Sequence, residues 1–399
     1  MPSAKLDYPI IVHSHLRWDG VWQRPQQFLS RLSVKHRVLF AEGPVLVDEE
    51  ITPRYELHEV SDYPNVTVLQ TYFPKSRFQD GAWVDGERQR LLTEVINGPL
   101  AGEFNHPVQW FYDPMAAPAF VGKMNESAVV YDCMDQLSQF KFAPPEIIHR
   151  ELHLLMDADV VFCGGRKLWE SKSEHNHNCH FYGCGVEVDH FGKARSAETQ
   201  IPNDVDFVNR PILGYFGVVD ERMDYELVEK LADANPNWNV VIIGPVCKVD
   251  TNTLPCRPNL YWVGRREYPH LPAYTKAFDV CLMPFALNEA TEYINPTKAL
   301  EYMATGRQIV STAVPDVVSN FNKVVMVAES HQEFIQFCKD AVASPNGDLI
   351  EAGLAMACAN TWDCIVSRLD EHVREALKRK ATHRTPARET ETLVAVETF

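Results

Sequence analysis

The amino-acid sequence predicts an α/β fold made of two doubly wound, Rossmann-like domains that face a cleft. Short apolar runs alternate with helical patterns along most of the 399 residues, and this alternation is typical of a parallel sheet covered by helices on both faces. The alternation fades between Phe191 and Asn209 and then starts again, which indicates a linker. The chain is also longer than the roughly 250–300 residues at which single hydrophobic cores stop growing.

The predicted elements form two series. In the first, strands are expected at 8–14, 37–43, 66–72, 107–113, 127–135 and 159–165, with helices at 22–34, 83–97 and 145–156. In the second, strands are expected at 211–219, 238–246, 260–264, 279–285, 307–314 and 323–329, with helices at 224–234, 271–278, 296–305, 331–343 and 348–378. Neither series contains GxGxxG, so the fingerprint of dinucleotide-dependent dehydrogenases is absent. In sheets of this kind, ligand-binding residues lie in the loops that follow the carboxyl ends of the strands.

Composition and charge exclude several classes of protein. Hydrophobic residues at 45% and charged residues at 23% describe a globular protein, and no apolar run approaches the ~20 residues of a membrane span. Because the N-terminus lacks the apolar core of a signal peptide and the ten cysteines contain no CxxC pair, we expect a cytoplasmic protein. The formal net charge of −16 argues against binding to nucleic acid. HNHNCH (175–180) has no second cluster of ligands, so we predict no metal site and interpret the residues that follow it as a strand and loop.

A helix with a polar entrance is predicted within NEATEYINPTKALEYMATG (288–306). Asn295 suits the N-cap and Gly306 the end of the helix, so Lys298 and Glu301 share one face. The backbone N–H groups of Thr297 and Lys298 have no partner inside the helix and would favour a phosphate. Glu301 could accept two hydrogen bonds from a vicinal diol such as ribose. This pattern indicates a nucleotide sugar, although a surface pair between Lys298 and Glu301 on an ordinary helix is the alternative.

The loop after the first strand combines aromatic and charged residues. Trp18, Asp19, Gly20, Trp22 and Arg24 lie at the carboxyl end of that strand, where aromatic faces can stack on a sugar and charged groups can bind its hydroxyls. We therefore predict that this loop binds an acceptor sugar. The alternative is a helix entrance with Trp22 in the core.

Carboxylates follow another strand of the first series. Asp132 and Asp135 lie at the end of the strand 127–135, where a carboxylate can orient an acceptor hydroxyl, act as a base or cap the next helix.

Glycines and basic residues end the strands of the second series. Gly217 permits a close approach of the backbone to a phosphate or a helix, and Arg222 could stabilise a departing diphosphate unless Asp220 or Asp224 ties it up. Gly244 and Arg265 follow the next two strands and are candidates for nucleotide contact; ordinary surface charge is the alternative for Arg265.

Taken as a series, these segments resemble the group-1 (family 4-like) glycosyltransferases with the GT-B fold. The segments are WDGVWQRPQQ, VVFCGG, YGCGVEVDHF, GYFGVVDE, VIIGPV, YWVGRREYPHLPAYTKAFDVCLMPF and NPTKALEYMATGRQIVST. The resemblance, which is to the bacterial branch, implies that the C-terminal domain binds a nucleotide sugar and the N-terminal domain binds the acceptor. It also implies no metal requirement and retention of anomeric configuration. The domains expected are 1–195, 205–360, a helix at 361–378 that crosses back to the first domain, and a polar, flexible tail at 379–399.

The resemblance also assigns residues. Glu301 matches the second Glu of the family motif E-x7-E and would bind the ribose. The first Glu falls on Tyr293, which leaves Glu289 and Glu292 as candidates for its role. Arg222 matches the first member of the Arg/Lys pair that follows the first strand of the domain, whereas no Lys follows it, and Lys298 is the candidate replacement.

The expected function is a cytoplasmic glycosyltransferase without a cofactor. It would move a sugar from a nucleoside diphosphate donor to a hydroxyl of a glycan or lipid-linked glycan in cell-surface or exopolysaccharide biosynthesis, with peripheral contact at the inner membrane face as a further expectation. The alternatives are a nucleotide-sugar 2-epimerase or a sugar phosphorylase of the same fold, and a non-catalytic partner subunit that binds nucleotide sugar.

Overall fold

The computed structural model describes residues 6–20, 22–140, 143–288, 291 and 297–383. Within these residues the strands form two sheets. The strands of the first sheet are Ile10–Ser14 (β1), Val38–Glu42 (β2), Val45–Val47 (β3), Arg54–Glu59 (β4), Val66–Pro74 (β5), Val108–Phe111 (β6), Ala128–Cys133 (β7), Val160–Cys163 (β8) and Cys179–Phe181 (β9). Those of the second are Ile212–Phe216 (β10), Asn239–Ile243 (β11), Leu260–Gly264 (β12), Val280–Met283 (β13), Gln308–Thr312 (β14) and Met326–Ala328 (β15).

Helices connect most of these strands. Their bounds are Arg24–Leu32 (α1), Gly81–Asn97 (α2), Ala117–Phe120 (α3), Glu146–Asp157 (α4), Arg166–Ser173 (α5), Val188–Gly192 (α6), Asn203–Asp206 (α7), Tyr225–Ala234 (α8), Leu271–Ala277 (α9), Lys298–Ala304 (α10), Pro315–Phe321 (α11), His331–Ala343 (α12), Gly347–Ala359 (α13) and Trp362–His383 (α14).

Both sheets have the strand order of doubly wound folds. The first runs β3-β5-β2-β1-β6-β7-β8-β9, and β4 is its antiparallel strand, paired with β5. The second runs β12-β11-β10-β13-β14-β15 with parallel pairing. In each sheet the first strand of the series lies near the middle and the chain winds outwards in both directions, so the carboxyl ends of the central strands share one edge.

Alternating side chains of the strands fill a core on each face of each sheet. In β1, Ile10 and Val12 pack with α1 and α14, whereas Ile11 packs on the other face with α2 and α4. In β10, Leu213 and Phe216 likewise enter different cores. Because successive residues of a strand point to opposite faces, a sheet covered on both sides needs apolar residues at nearly every position, as the sequence has them.

The last helix returns to the first sheet. Trp362, Ile365, Val366, Leu369 and Val373 of α14 follow a helical spacing and pack in the same core as β1 and β2. The chain passes between the sheets twice, and the two passages lie side by side, because Val186 and Thr361 form a parallel bridge. Gly185 has no room for a side chain there, since a Cβ atom would lie 2.7 Å from the Trp362 ring.

The structure differs from the sequence-based prediction in several stretches. The predicted helix 348–378 is two helices, α13 and α14, separated at Asn360 and Thr361, where the chain forms the bridge to Val186. α14 also extends to His383, into the stretch 379–399 that was predicted to be a flexible tail. The edge strands β3 and β4 and the helices α3, α5, α6 and α11 were not predicted. The stretch 191–209, predicted as a linker, contains α7 and the fully buried Phe191.

Candidate active site

One large cavity lies where the carboxyl ends of the two sheets meet. Its volume is about 1440 Å³, and both sheets contribute to its lining. The first sheet and its helices contribute Gly20, Trp22, Arg24, Arg31, Tyr63 and Asp135, and α14 contributes Trp362 and Asp363. The second sheet and its loops contribute Tyr215, Arg222, Arg265, Tyr268, Thr297, Lys298 and Glu301. Cys184 and Glu187 of the loop after β9 lie between the two sets.

Lys298 extends from the first turn of α10 beneath the end of β10. Its ammonium nitrogen lies 5.6 Å from the centre of the Tyr215 ring, and the described residues supply no ion-pair partner for it. The structure therefore does not contain the alternative, a surface ion pair between Lys298 and Glu301. Burial lowers the pKa of Lys298, while the nearby Glu301 opposes that shift. The site thus holds a cation whose charge is not neutralised by a hydrogen-bonded carboxylate.

Two glycines make room for Lys298. Gly217 has φ of +147°, and a Cβ atom on it would lie 2.0 Å from Cε of Lys298. Gly244 has φ of +151°, and a Cβ atom on it would lie 1.7 Å from the carbonyl oxygen of Gly217. Both backbone conformations are ones that favour glycine. The glycines that were predicted to contact the donor thus pack against Lys298 and against each other, below the cavity surface.

Arg222 borders the cavity while it is held by Asp220. Its Nε and Nη2 atoms donate to the two carboxylate oxygens of Asp220 at 3.0 and 2.7 Å. The alternative partner, Asp224, caps α8 instead and accepts a hydrogen bond from His331. The pair with Asp220, which was the alternative to diphosphate binding, is therefore formed. It fixes the guanidinium plane, and among the described residues no acceptor is bonded to Nη1 of Arg222.

Glu301 lies one turn along α10 from Lys298 and also lines the cavity. Burial raises the pKa of Glu301 to about 7, with Glu187 adding to that shift and Lys298 opposing it. Near neutral pH this carboxyl group therefore changes between an acceptor of two hydrogen bonds and a neutral acid.

Asp132 is not placed as the sequence predicted. It is fully buried, does not line the cavity, and accepts a hydrogen bond from Nε of Arg24 at 2.8 Å. Nη1 of Arg24 donates to the carbonyl oxygen of Tyr182 at 2.6 Å, and its guanidinium lies over the Phe28 ring. The carboxylate thus neutralises a buried arginine behind the cavity wall. Asp135 is the carboxylate of this pair that borders the cavity, and desolvation raises its pKa.

The two tryptophans of the first loop, both predicted to bind the acceptor, have different surroundings. Trp18 is buried against Phe40, whereas Trp22 is 43% exposed, lines the cavity and stacks on Tyr63 with ring centres 5.9 Å apart. Gly20 and Arg24 also line the cavity, while Asp19 is exposed and lies outside its lining.

The remaining predicted residues divide into two groups. Arg265 lines the cavity beside Glu267, and Thr297 lines it at the N-terminal boundary of α10. Glu289, Glu292 and Asn295 lie outside the described residues. The described helix begins at Lys298, two residues after the predicted start at Pro296.

Among the cavity residues that were not predicted are Arg31, Tyr63, Glu187 and Tyr268. Arg31 and Tyr63 have no motif around them. Glu187 and Tyr268 lie in YGCGVEVDHF and YWVGRREYPHLPAY, two of the segments that carry the family resemblance.

The described ranges contain no group of three or more His, Cys, Asp or Glu side chains arranged to hold a metal ion. No helix in the described part of the chain is long and apolar enough to cross a bilayer.

Two doubly wound sheets that share a cavity at their carboxyl ends, with a last helix that returns to the first sheet, define a GT-B fold. Known structures agree with this. An α,α-trehalose-phosphate synthase (UDP-forming) of Burkholderia vietnamiensis matches with a TM-score of 0.67 at 13% identity, over 92% of this chain and 99% of that one. A sucrose-phosphate synthase of Thermosynechococcus elongatus matches with a TM-score of 0.64 at 14% identity, over 93% of this chain and all of that one.

The sequence comparisons give the class of enzyme. Residues 210–343 match the family model of glycosyl transferases group 1. TuaH of Bacillus subtilis (strain 168), named as a teichuronic acid biosynthesis glycosyltransferase, is 23% identical over 341 residues, which are 79% of this chain and 84% of the relative. The fold class and the resemblance inferred from the sequence are confirmed: the chain is a glycosyltransferase with the GT-B fold, and its residues 210–343 match the group-1 family.

Proposed function

We propose that this enzyme transfers a sugar, with retention of anomeric configuration, from a nucleoside diphosphate sugar to a hydroxyl of a glycan or lipid-linked glycan. The observation that carries this proposal is the placement of Lys298, Arg222 and Glu301 on the second-sheet side of one cavity. Two cations suit the diphosphate, and a carboxylate suits the ribose diol. The trehalose-phosphate synthase and sucrose-phosphate synthase folds support the division into a donor side and an acceptor side.

The chemistry follows from where charge develops. As the bond between the sugar C1 and the diphosphate oxygen breaks, negative charge builds on the diphosphate, and Lys298 and Arg222 stabilise it. A new bond forms between C1 and the oxygen of the acceptor hydroxyl, on the face from which the diphosphate leaves, and the departing diphosphate oxygen takes the proton of that hydroxyl. Asp135 faces the cavity from the first sheet and orients that hydroxyl. With two cations in place, we propose that neither a metal ion nor another cofactor is needed.

The acceptor side is the first-sheet wall of the cavity. Trp22 and Tyr63 offer stacked aromatic faces there, and Gly20 leaves the adjacent wall without a side chain. We propose a glycan or lipid-linked glycan of a cell-surface polysaccharide or exopolysaccharide as the acceptor, supported by the name of the Bacillus relative. A lipid-linked acceptor would place the cytoplasmic enzyme at the inner membrane face, in peripheral contact.

A thermal-shift screen tests the donor assignment. We expect one nucleotide family among UDP-, GDP-, dTDP- and ADP-sugars to raise the melting temperature, because a ligand that binds only the native state stabilises it by mass action. UDP-sugars are the first choice, since the trehalose-phosphate synthase of similar fold is UDP-forming. The shift should be insensitive to EDTA and should vanish in Glu301→Ala, with an unchanged melting temperature of the free variant as the control for folding. No shift with any donor would overturn the proposed function, and donor consumption without an acceptor would favour an epimerase.

Donor binding should depend on pH through Glu301. Because its pKa lies at about 7, Glu301 is mostly ionised at pH 8 and mostly protonated at pH 6, where it accepts hydrogen bonds poorly. We expect the dissociation constant of the nucleotide sugar to rise about tenfold between pH 8 and pH 6, measured by calorimetry. Glu301→Gln should bind weakly with a flat pH profile. A wild-type profile that is also flat would contradict the assignment of Glu301 to the donor.

A further inference from the structure

A second cavity lies at the opposite edge of the second sheet from the active site. Its volume is about 400 Å³, which is within the roughly 300–1,000 Å³ typical of small-molecule sites. The residues that precede β10, β13 and β14 form one wall, with Arg210, Asp279 and Arg307 among them. Pro345 and Ile350 add apolar surface. Because these strands begin here and end at the active site, we call this space the amino-end cavity.

Two arginines meet in the wall of the amino-end cavity. Nη2 of Arg210 and Nη2 of Arg307 donate to the same acceptor, the backbone carbonyl oxygen of Lys276, at 3.3 and 3.0 Å. Nη1 of Arg210 also donates to Oδ1 of Asp279, whose Oδ2 accepts from the backbone N–H of Ile212 at 2.7 Å. Both oxygens of this carboxylate are therefore engaged, and one negative charge stands against two positive ones.

Arg307 is the member of this pair whose charge is not compensated. Among the described residues it has no carboxylate within ion-pair distance, and its hydrogen bond is the one to Lys276. Its Nε is buried and has no acceptor there, so part of the charged group is removed from water. A charge in this situation, beside a like charge, costs free energy in the folded protein. A bound anion would supply the missing negative charge.

Capping of α9 is the alternative role for the two arginines. Lys276 lies in the last turn of α9, where backbone carbonyl oxygens have no partner inside the helix and attract basic side chains. Arg210 is sufficient for such a cap, and its charge is balanced by Asp279. A second guanidinium adds repulsion without a further acid. Capping therefore leaves the guanidinium of Arg307 unexplained.

We propose that the amino-end cavity binds the phosphate group of a small phosphate monoester between the guanidiniums of Arg210 and Arg307. Guanidinium groups donate paired hydrogen bonds that match the oxygens of a phosphate. Pro345 and Ile350 belong to the same lining and contact the organic part of the ester. The site is separate from the cavity that contains Lys298, so the inference goes beyond the proposed function and does not depend on it.

Thermal melting with two probes, inorganic phosphate and glycerol 3-phosphate, tests the site. Chloride at matched ionic strength gives the baseline. We expect both probes to raise the melting temperature of the wild type, glycerol 3-phosphate more than phosphate, because a ligand of the native state stabilises it by mass action. In Arg307→Leu the dissociation constant derived from the melting should rise about tenfold or more, since charge-assisted hydrogen bonds are lost. Arg307→Lys keeps the charge without the paired donors, so its dissociation constant should lie between those of the wild type and Arg307→Leu.

Two variants serve as controls. Arg257→Leu removes an arginine that precedes β12 at the same edge of the sheet but is paired with Asp233, so it should keep the full shift in melting temperature. Lys298→Ala removes a cation of the active site and should also keep the full shift, which distinguishes the amino-end cavity from the diphosphate site.

The melting temperature without phosphate separates binding from capping. Because a repelling charge is removed, Arg307→Leu in chloride should melt at or above the wild-type temperature. A clear fall there, together with an undiminished phosphate shift, would indicate a cap and overturn the inference. The inference would also be overturned if neither probe stabilised the wild type, or if the shift vanished in Lys298→Ala and persisted in Arg307→Leu. Equal affinity for both probes would support the phosphate site and overturn the contribution of Pro345 and Ile350.

Discussion

Replacing Lys298 with Ala is expected to lower the turnover number by about 10²–10³-fold, the effect of removing one group that stabilises transition-state charge in other enzymes. Within the described residues the ammonium group faces the Tyr215 ring and forms no ion pair, so it is placed to interact with the departing diphosphate. The aliphatic part of the Lys298 side chain packs directly against Gly217, and this contact limits the positions of the ammonium group. Initial rates at saturating donor and acceptor would measure the loss.

Lys248→Ala is the matched control for this experiment. Lys248 follows the neighbouring strand β11, but its side chain is 77% exposed and its nearest acid is Glu221, at 3.8 Å. We expect its removal to leave turnover unchanged. A loss in Lys298→Ala that appears only in the Michaelis constant would contradict a role in the transition state, because it would mean that the lysine binds ground state and transition state equally.

Asp132→Ala is expected to lower the free energy of unfolding by about 3–5 kcal/mol, which is the usual result of leaving one partner of a buried ion pair without the other. Arg24 is buried with Asp132, and it also contacts the backbone carbonyl oxygens of Tyr182 and Gly183 and the Phe28 ring. None of these uncharged contacts neutralises the guanidinium. Urea unfolding followed by circular dichroism would measure the change.

Two comparisons sharpen this test. The pair of Arg257 with Asp233 is exposed, so Asp233→Ala should leave the free energy of unfolding close to that of the wild type. Replacing both buried partners, with Arg24→Met and Asp132→Leu together, should recover much of the loss, because no unpaired charge remains. If Asp132→Ala proved as mild as Asp233→Ala, the buried pair would not be a determinant of stability.

The central strands of both sheets could be predicted from the sequence, because a parallel sheet that is buried on both faces requires a continuous apolar run at each of them. Val160–Cys163 and Val280–Met283 are such runs, and both are strands at those positions. The edge strand Arg54–Glu59 was not predicted, because RYELHE is polar and half exposed and lacks the apolar pattern of a buried strand. The break between α13 and α14 was not predicted for another reason. It is imposed by a bridge to Val186, 175 residues earlier in the chain (361 − 186).

Site residues could be predicted where their position at the end of a strand or the start of a helix is enough to bring them to the cavity. Lys298, Glu301 and Arg222 follow strand ends or open a helix, and they line the cavity as that position implies. The roles of Trp18 and Trp22 were not separable, because the direction of a side chain in a loop depends on tertiary packing. The same holds for Asp132, since its partner Arg24 is 108 residues away in the sequence.

The return of α14 to the first sheet has a consequence for biosynthesis. The apolar face that includes Val12 and Phe40 is completed by Trp362, Leu369 and Val373 of α14, which are synthesised after the whole second sheet. A nascent chain released in the N-to-C direction therefore carries an uncovered hydrophobic face on its first sheet while the second sheet is being translated. A ribosome that stalls before α14 would leave a chain exposed to aggregation.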